Sequence, residues 1–432
     1  MFSRFKLKEH ATTVKTEFLA GFTTFLTMMY IVPVNGFILS DAGLPMGAVI
    51  TATALITILA TIFNGYWSNT PIAMSVGMGL NAYFAYGLVL GMGIAWQTAL
   101  GIVFLSGVIF VVLSFTKFRV WIMTSIPVDL RRAISAGIGA FIAFIGLKQM
   151  GIIVANKATL VSLGDLSSPT ILLGIFGLIT ALSFYTFRLK GAFVLSIVVT
   201  SVVAWIFGIG NPPKEIFGIP ESISPIFMQL DIVSALSLAL LPVIITFLVT
   251  DMFDTLGTLT GVGTRANLFQ TKDANDKALE KTLEADAIAT VGGSLLGVST
   301  TTSFIESASG VEAGGRTGLT SVFTGLFFIL TLFLLPFFKA IPPNAIYPIL
   351  VVVGILMFTE LGNIKWQNND LAVTSASFLI VILMPLTYSI TNGFAAGFVV
   401  YTTLKILKGE LKDINLGLIT ITLISLSVFI LQ

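Results

Sequence analysis

Apolar windows of membrane length run along almost the whole chain, and they fix the class of fold before any single residue is considered. They fall near 18–40, 46–63, 71–92, 96–115, 129–148, 170–187 and 191–209. A second set falls near 236–262, 284–297, 299–314, 317–337, 344–360, 370–386 and 390–407. A last apolar segment, 415–431, fits either a further span or an interfacial helix. Of the 432 residues 56% are hydrophobic and only 10% charged, against about 25% charged in soluble domains. A water-soluble fold cannot hide that much apolar surface. The expected class is an all-α polytopic membrane protein with seven spans followed by seven more.

Several function classes drop out. The chain has no cysteine, which removes disulfides, iron–sulfur clusters and thiolate zinc sites. Its one histidine, His10, lies in a polar N-terminal stretch, so no His-based metal centre and no cofactor are expected. A net charge of +2 is too small for nucleic-acid binding. The first apolar run has basic residues before it but no small-residue cleavage site after it, and reads as a retained span. With a cytoplasmic N-terminus, nineteen of the 23 lysines and arginines fall on the inner side, among them Arg4, Lys117, Arg119, Arg131, Lys272, Arg316 and Lys405. Only Lys148, Lys157, Lys214 and Lys339 fall outside. That asymmetry supports the orientation and the span count. It predicts a multi-pass protein of the cell (inner) membrane, surrounded by membrane lipid. The charged stretch 264–283 is expected as an inner helix or loop, and 210–235 as the largest outer loop.

The two halves echo each other in order. Ile126-Pro127 is followed twelve residues on by Gly139, and Ile341-Pro342 by Gly354, at an offset of 215. Thr24-Phe25-Leu26-Thr27 resembles Thr246-Phe247-Leu248-Val249-Thr250. The Gly-interrupted third window carries Asn81, and the tenth carries Glu306. An odd number of spans per half makes the second half inverted. Inverted repeats with paired interrupted segments point to a transporter whose site lies at the bilayer midplane. Gly77-Met78-Gly79 before Asn81, and the Thr-rich 299–305 before Glu306, predict a short extended piece leading into a half-helix. Such backbone is tolerated at membrane depth only where it is buried in protein or lines a cavity. Asn81 and Glu306 are expected at the half-helix starts, where N–H groups and the positive dipole end meet that cavity.

Glu306 is the sharpest single clue. An ionisable group at membrane depth costs roughly 3 kcal/mol on insertion scales and usually marks a substrate, ion or proton path. Asp251 and Asp254 in the eighth window are spaced to share one helical face. Asp254 also suits a packing carboxylate, and Asn81 a helix cap. Desolvation and like charge raise a carboxyl pKa, so one acid of such a set can hold a proton for part of a cycle. A carboxylate accepts two parallel N–H donors and a carboxamide offers both a donor and an acceptor. The set suits a flat, neutral, amide-bearing heterocycle. Phe304, Tyr83 and Phe84 are candidates to stack on it. Glu17 is expected at the membrane interface, and Gly314-Gly315-Arg316-Thr317-Gly318 as a tight inner turn.

At these residues the chain closely resembles the azaguanine-like nucleobase permeases, the bacterial guanine/hypoxanthine and adenine permeases. The matching stretches are TEFLAGFTTFLTMMYIVPVN (16–35), GMGLNAYFAY (77–86), DMFDTLGTLTGV (251–262), ESASGVEAGGRTGLT (306–320) and MPLTYSITNG (384–393). The resemblance runs from about residue 10 to 410. It implies fourteen spans as an inverted seven-plus-seven repeat, divided into a core (1–115 and 236–337) and a gate (116–235 and 338–432). It also implies purine uptake driven by the proton gradient, with a purine nucleobase and a proton as partners. The family's binding residues map onto Asn81, Asp251 and Glu306, with Phe304 and Ile305 as further substrate contacts. Proton coupling falls to Glu306, Asp251 and Asp254. A homodimer is common for such a fold. The family usually has Ala-Pro where this chain has Ser75-Val76. An anion transporter or exchanger of the same fold is the alternative. An acidic-dyad membrane hydrolase has only the two aspartates in its favour, and no enzyme is expected.

Overall fold

The computed structural model describes residues 2–116, 125–266, 277–366 and 370–431. Lys117, Arg119 and Lys272, and with them the middle of the charged stretch 264–283, lie outside the described residues.

The first window is two helices, α1 (Val14–Met28) and α2 (Ile31–Asp41), broken at Met29 and Tyr30. Together they run 28 residues, more than the roughly 20 a span needs. Pro33, which cannot donate, falls in the first turn of α2, where a donor has no helical partner anyway. The chain continues through α3 (Met46–Trp67), β1 (Met74–Val76) and α4 (Met78–Ala82), which runs on as a π-helical segment, Tyr83–Val89. Then come α5 (Trp96–Ser114), α6 (Val128–Gln149), a hairpin of β2 (Ile153–Asn156) and β3 (Leu160–Leu163), α7 (Pro169–Thr186) and α8 (Ala192–Ile206).

The second half holds α9 (Leu241–Ala266), α10 (Lys277–Leu296), β4 (Thr301–Ser303), α11 (Ser307–Glu312) and α12 (Gly318–Leu332). After these follow α13 (Pro343–Phe358), α14 (Leu371–Leu386), α15 (Ile390–Leu407) and α16 (Leu416–Leu431). Among the described residues eight helical stretches are long and apolar enough to cross a membrane, and five shorter ones are apolar. The protein is a multi-pass membrane protein. Helix α10 begins at Lys277, seven residues before its expected window at 284. Its first turns are polar and lie against Trp67, whose indole N–H donates to Glu284 at 2.9 Å. The terminal segment 415–431 is a helix packed on α15, tied by the hydroxyls of Thr402 and Thr422 at 2.8 Å.

The expected extended pieces are present, and they pair. β1 and β4 run antiparallel with Met74 opposite Ser303, Ser75 opposite Thr302 and Val76 opposite Thr301. Gly77 N–H donates to Thr300 O at one end, and Phe304 N–H to Ala73 O at the other, both at 2.9 Å. Hydroxyls complete the backbone bonding. Thr61 Oγ1 donates to Met74 O and accepts from Met74 N, and Ser307 Oγ accepts from Ala73 N. Ser75 hydrogen-bonds Thr57 at 2.6 Å, so Ser75-Val76 extends a hydroxyl network into this sheet.

Glycines set the close helix packing. A Cβ on Gly318 would lie 1.8 Å from Gly65 O, where α12 crosses α3. Gly139 on α6 and Gly354 on α13 face each other, each with a would-be Cβ within 2.5 Å of the other's carbonyl. Pro127 and Pro342 are the N-caps of those two helices. The motif pair at offset 215 is thus a pair in space. Small residues that let backbones approach are the usual glue between membrane helices. Helices α1, α3 and α12 pack together, as do α6, α7, α13 and α14.

Glu17 does more than sit at an interface. It is fully buried and accepts from the N–H groups of Arg316, Thr317 and Thr320 and from Thr320 Oγ1, closing the start of α12. A carboxylate belongs at a helix N-terminus. Elsewhere, the buried Lys405 ammonium pairs with Asp370, Glu410 and Asp413 at 2.6–2.8 Å. Replacing Glu17 by Ala strands several buried donors and is expected to destabilise the fold by about 3 kcal/mol. Thermal unfolding of the detergent-solubilised protein measures this. An unchanged midpoint would show that the cap contributes nothing.

Candidate substrate site at the paired half-helices

The two half-helices leave the strand pair and meet α9, which packs on β4, α11 and α4. Glu306 is the N-cap residue of α11, as the sequence predicts. It is half-buried, and its Oε1 accepts from Tyr30 Oη at 2.6 Å. Tyr30 sits at the break between α1 and α2 and packs edge-on to Phe193. Asn81 departs from expectation. The cap of α4 is Gly77, and Asn81 is the fourth helical residue, its N–H bonded to Gly77 O at 2.9 Å. Its side chain is fully buried and donates to Asn35 Oδ1 at 2.6 Å, while Asn35 donates to Thr53 Oγ1 at 2.8 Å. Asn81 Oδ1 has no partner.

Asp251 and Asp254 project from α9. Asp251 is buried and takes one bond, from Thr290 Oγ1 at 3.0 Å, to Oδ2; its Oδ1 has no partner. Asp254 is half-buried, within electrostatic reach of Glu306 and of a fourth acid, Asp286. Asp286 lies fully buried on α10, accepting from Thr255 Oγ1 at 2.7 Å and Ser303 Oγ at 3.2 Å. Thr255 also shares a 2.7 Å hydroxyl contact with Thr302. The acids are therefore strung between α9, α10 and β4 by hydroxyls.

Other expected contacts fall differently. Phe304 is buried at 5% exposure, whereas Ile305 beside it is 58% exposed. Tyr83 and Phe84 are fully buried, and Tyr83 already stacks on Phe247 at 5.5 Å between centroids. Tyr30, Asn35, Asp286 and Thr290 were not singled out by sequence reasoning. Pro33 was the signal for a break near Tyr30. Asp286, flanked by Ala285, Ala287 and Ile288, carried the same signature of an acid in apolar surroundings as Glu306.

Buried polar atoms in native proteins almost always have partners. Here Asn81 Oδ1, Asp251 Oδ1 and the hydroxyls of Thr250, Ser299, Thr300 and Thr301 lack them. Unpaired acceptors and hydroxyls together fit a polar ligand rich in N–H donors.

Residues 15–396 match the model of a permease family, described as the Permease family. A putative permease of Methanocaldococcus jannaschii is 46% identical, covering 95% of this chain and 94% of its own length. The adenine permease AdeP of Escherichia coli is 41% identical over 97% of this chain and 94% of its own. The guanine/hypoxanthine permease PbuG of Bacillus subtilis is 41% identical over 95% of each chain. In fold, the protein resembles the transmembrane domain of the cyanobacterial bicarbonate transporter BicA, with TM-score 0.63, 16% identity and coverage of 86% of this chain and 95% of that one. It is also similar to SLC26A9, with TM-score 0.64, 11% identity and coverage of 91% of this chain and 66% of that one. These relatives are permeases and transporters, not enzymes. The chain belongs to the nucleobase permease family that includes the adenine and guanine/hypoxanthine permeases.

Proposed function

We propose that the protein imports purine nucleobases together with protons across the inner membrane, by alternating access. The observation that carries this reading is the pair of unpartnered buried acceptors, Asp251 Oδ1, within electrostatic reach of Asp254 and Asp286, and Asn81 Oδ1 on α4, the half-helix that packs on α9. A purine presents ring N–H and amide-like edges in one plane. Glu306 takes parallel N–H donors, Asp251 a further one, and the Asn81 carbonyl completes the edge. Phe304 and Ile305 shape the entrance to α11. Gathering several carboxyls in a low-dielectric site disfavours full ionisation, so proton uptake and substrate binding alter each other's cost. Asp254, between Glu306 and Asp286, links substrate anchor and buried acid. The adenine and guanine/hypoxanthine permeases among the relatives supply the substrate class.

The paired strands and the Gly139–Gly354 contact support the architecture that goes with this reading. Spans 1–4 and 8–11 form a core that carries the site; spans 5–7 and 12–14 form a gate, with the halves inverted and the N-terminus cytoplasmic. The anion reading, which the names of the structural neighbours suggest, is less well supported. The side-chain hydrogen-bond partners of Asp251, Asp286 and Glu306 are hydroxyls and not cations, and acids paired in this way repel an anion unless they are protonated.

Glu306→Gln is expected to lower hypoxanthine uptake in proteoliposomes at least 100-fold, with membrane insertion unchanged. Normal accumulation by that variant would remove the role assigned to Glu306. A protonophore is expected to collapse uptake; sodium dependence with no proton effect would refute proton coupling. Asp286→Asn is expected to cut uptake more than tenfold while leaving the equilibrium affinity for hypoxanthine within about threefold. A variant that transports at the native rate would make Asp286 a packing group. Competition of labelled hypoxanthine by guanine and adenine, but not by uracil or bicarbonate, separates the purine reading from the anion reading.

A further inference from the structure

Helix α2 joins the site to a second polar cluster at its far end. Tyr30 begins it, Asn35 lies midway, and Asp41 ends it. Its 11 residues, at about 1.5 Å each, span about 16 Å. Asp41 Oδ2 accepts three hydrogen bonds, from Tyr86 Oη at 2.7 Å, Gln149 Nε2 at 2.8 Å and Tyr347 Oη at 3.0 Å. Gln149 also donates to Tyr86 Oη at 3.2 Å. The donors come from different bodies. Tyr86 lies on the π-helical continuation of α4, Gln149 ends α6, and Tyr347 lies in the first turns of α13. A second tie crosses the same boundary nearby, Tyr83 Oη to Thr391 Oγ1 of α15 at 2.8 Å.

Above these ties lies a cavity of about 400 Å³, lined by Tyr86, Lys148, Tyr388, Ser389 and Asn392 among others. Its floor is the tied layer itself, since Tyr86 and Ser389 belong to both. Toward the opposite face the site is open. Ile305 is 58% exposed, Glu306 and Asp254 are half-buried, and Gly257 on α9 is exposed. Two tyrosines of the sealed layer, Tyr83 and Tyr86, sit in the π-helical segment. Such a segment is a register defect within a helix, and it occurs frequently at functional sites.

We infer that Asp41 is the latch of a gate on the face opposite the N-terminus, closing the path between that cavity and the substrate site. The inference rests on the transport reading above. Asp41 pulls the ends of α6 and α13 onto α2 with charge-assisted bonds, which are the strong kind. Opening that face requires Gln149 and Tyr347 to leave Asp41. Because α2 also carries Tyr30, bonded to Glu306, and Asn35, bonded to Asn81, a change in site occupancy shifts the helix that holds the latch. Asp41 is thus a positioning residue that touches no substrate.

The chain has no cysteine, so a single reporter thiol is unambiguous. Ile305→Cys places it at the site, and Thr387→Cys in the cavity identifies the Asp41 face. A membrane-impermeant maleimide applied to the Asp41 face is expected to modify the Ile305→Cys thiol slowly. Asp41→Ala, or the near-isosteric Tyr347→Phe, should raise that rate about tenfold, the effect of losing a hydrogen bond to a charged group, without raising the rate from the other face. The two substitutions together should add less than the product of each alone. Unchanged modification from the Asp41 face, in variants that keep the native thermal midpoint, would overturn the latch. The labelling needs no substrate. Failure of the native chain to bind hypoxanthine would therefore defeat the purine reading while the labelling still decides the gate.

Discussion

The pairing of β1 with β4 is the constraint on which the rest depends. Inside a bilayer an unpaired backbone group costs several kcal/mol, so unwound chain survives only where protein satisfies it. Neither strand could exist alone at this depth. Each supplies the other's partners, and hydroxyls of Thr61, Ser307 and Thr290 take the groups the ladder leaves over. The geometry then follows. Two antiparallel strands of three residues feed two half-helices that leave from opposite ends of the pair. The half-helices that carry Asn81 and Glu306 are brought against α9. Two interruptions whose Asn81 and Glu306 lie 225 residues apart in sequence are brought together because two backbones need each other.

The same economy of small groups builds the surrounding frame. Gly65 with Gly318, and Gly139 with Gly354, let helix backbones touch where any Cβ would collide. Threonine and serine supply the remaining polar contacts, since a hydroxyl can donate to a backbone carbonyl within its own helix or reach a neighbour. Thr57 does both, bonding Thr53 O and Ser75 Oγ. Van der Waals contact and hydrogen bonding replace a hydrophobic drive that lipid does not provide.

Much of this was legible in the chain. The apolar windows place the helices, because hydropathy over some 20 residues is a long-range average that local detail cannot erase. The Gly-rich and Thr-rich interruptions reveal the strands, and Glu306 stands out by its surroundings. What escaped has physical reasons. Tyr30 and Asn35 join the cluster only through partners 276 and 46 residues away, contacts that no local pattern encodes. Asp286 was masked by Lys277, Glu280, Lys281 and Glu284 just before it, which make the start of α10 read as an inner surface helix. Asn81 was expected at a cap because asparagine prefers caps. Gly77 starts the helix instead, freeing the carboxamide to bond Asn35 and leaving its oxygen unpartnered.

The choice of partners for the acids bears on how such a site can work. A lysine or arginine beside Glu306 or Asp251 would neutralise it permanently and hold it in one state, and a lone buried carboxylate would carry its full desolvation cost. Hydroxyls avoid both outcomes. A tyrosine or threonine donates to a carboxylate and, by turning, accepts from a carboxylic acid. Tyr30, Thr255, Thr290 and Ser303 can therefore stay bonded to Glu306, Asp251 and Asp286 whichever form each takes. Under the transport reading proposed above, the cost of adding or removing a proton then falls on the ligand's own bonds with the site, and such a dependence of proton on substrate and of substrate on proton is reciprocal by linkage. An acid cluster held by hydroxyls suits the proton coupling proposed above for this reason, and an acid cluster held by cations would be a structural clamp, as Lys405 with Asp370, Glu410 and Asp413 illustrates at the far end of α15.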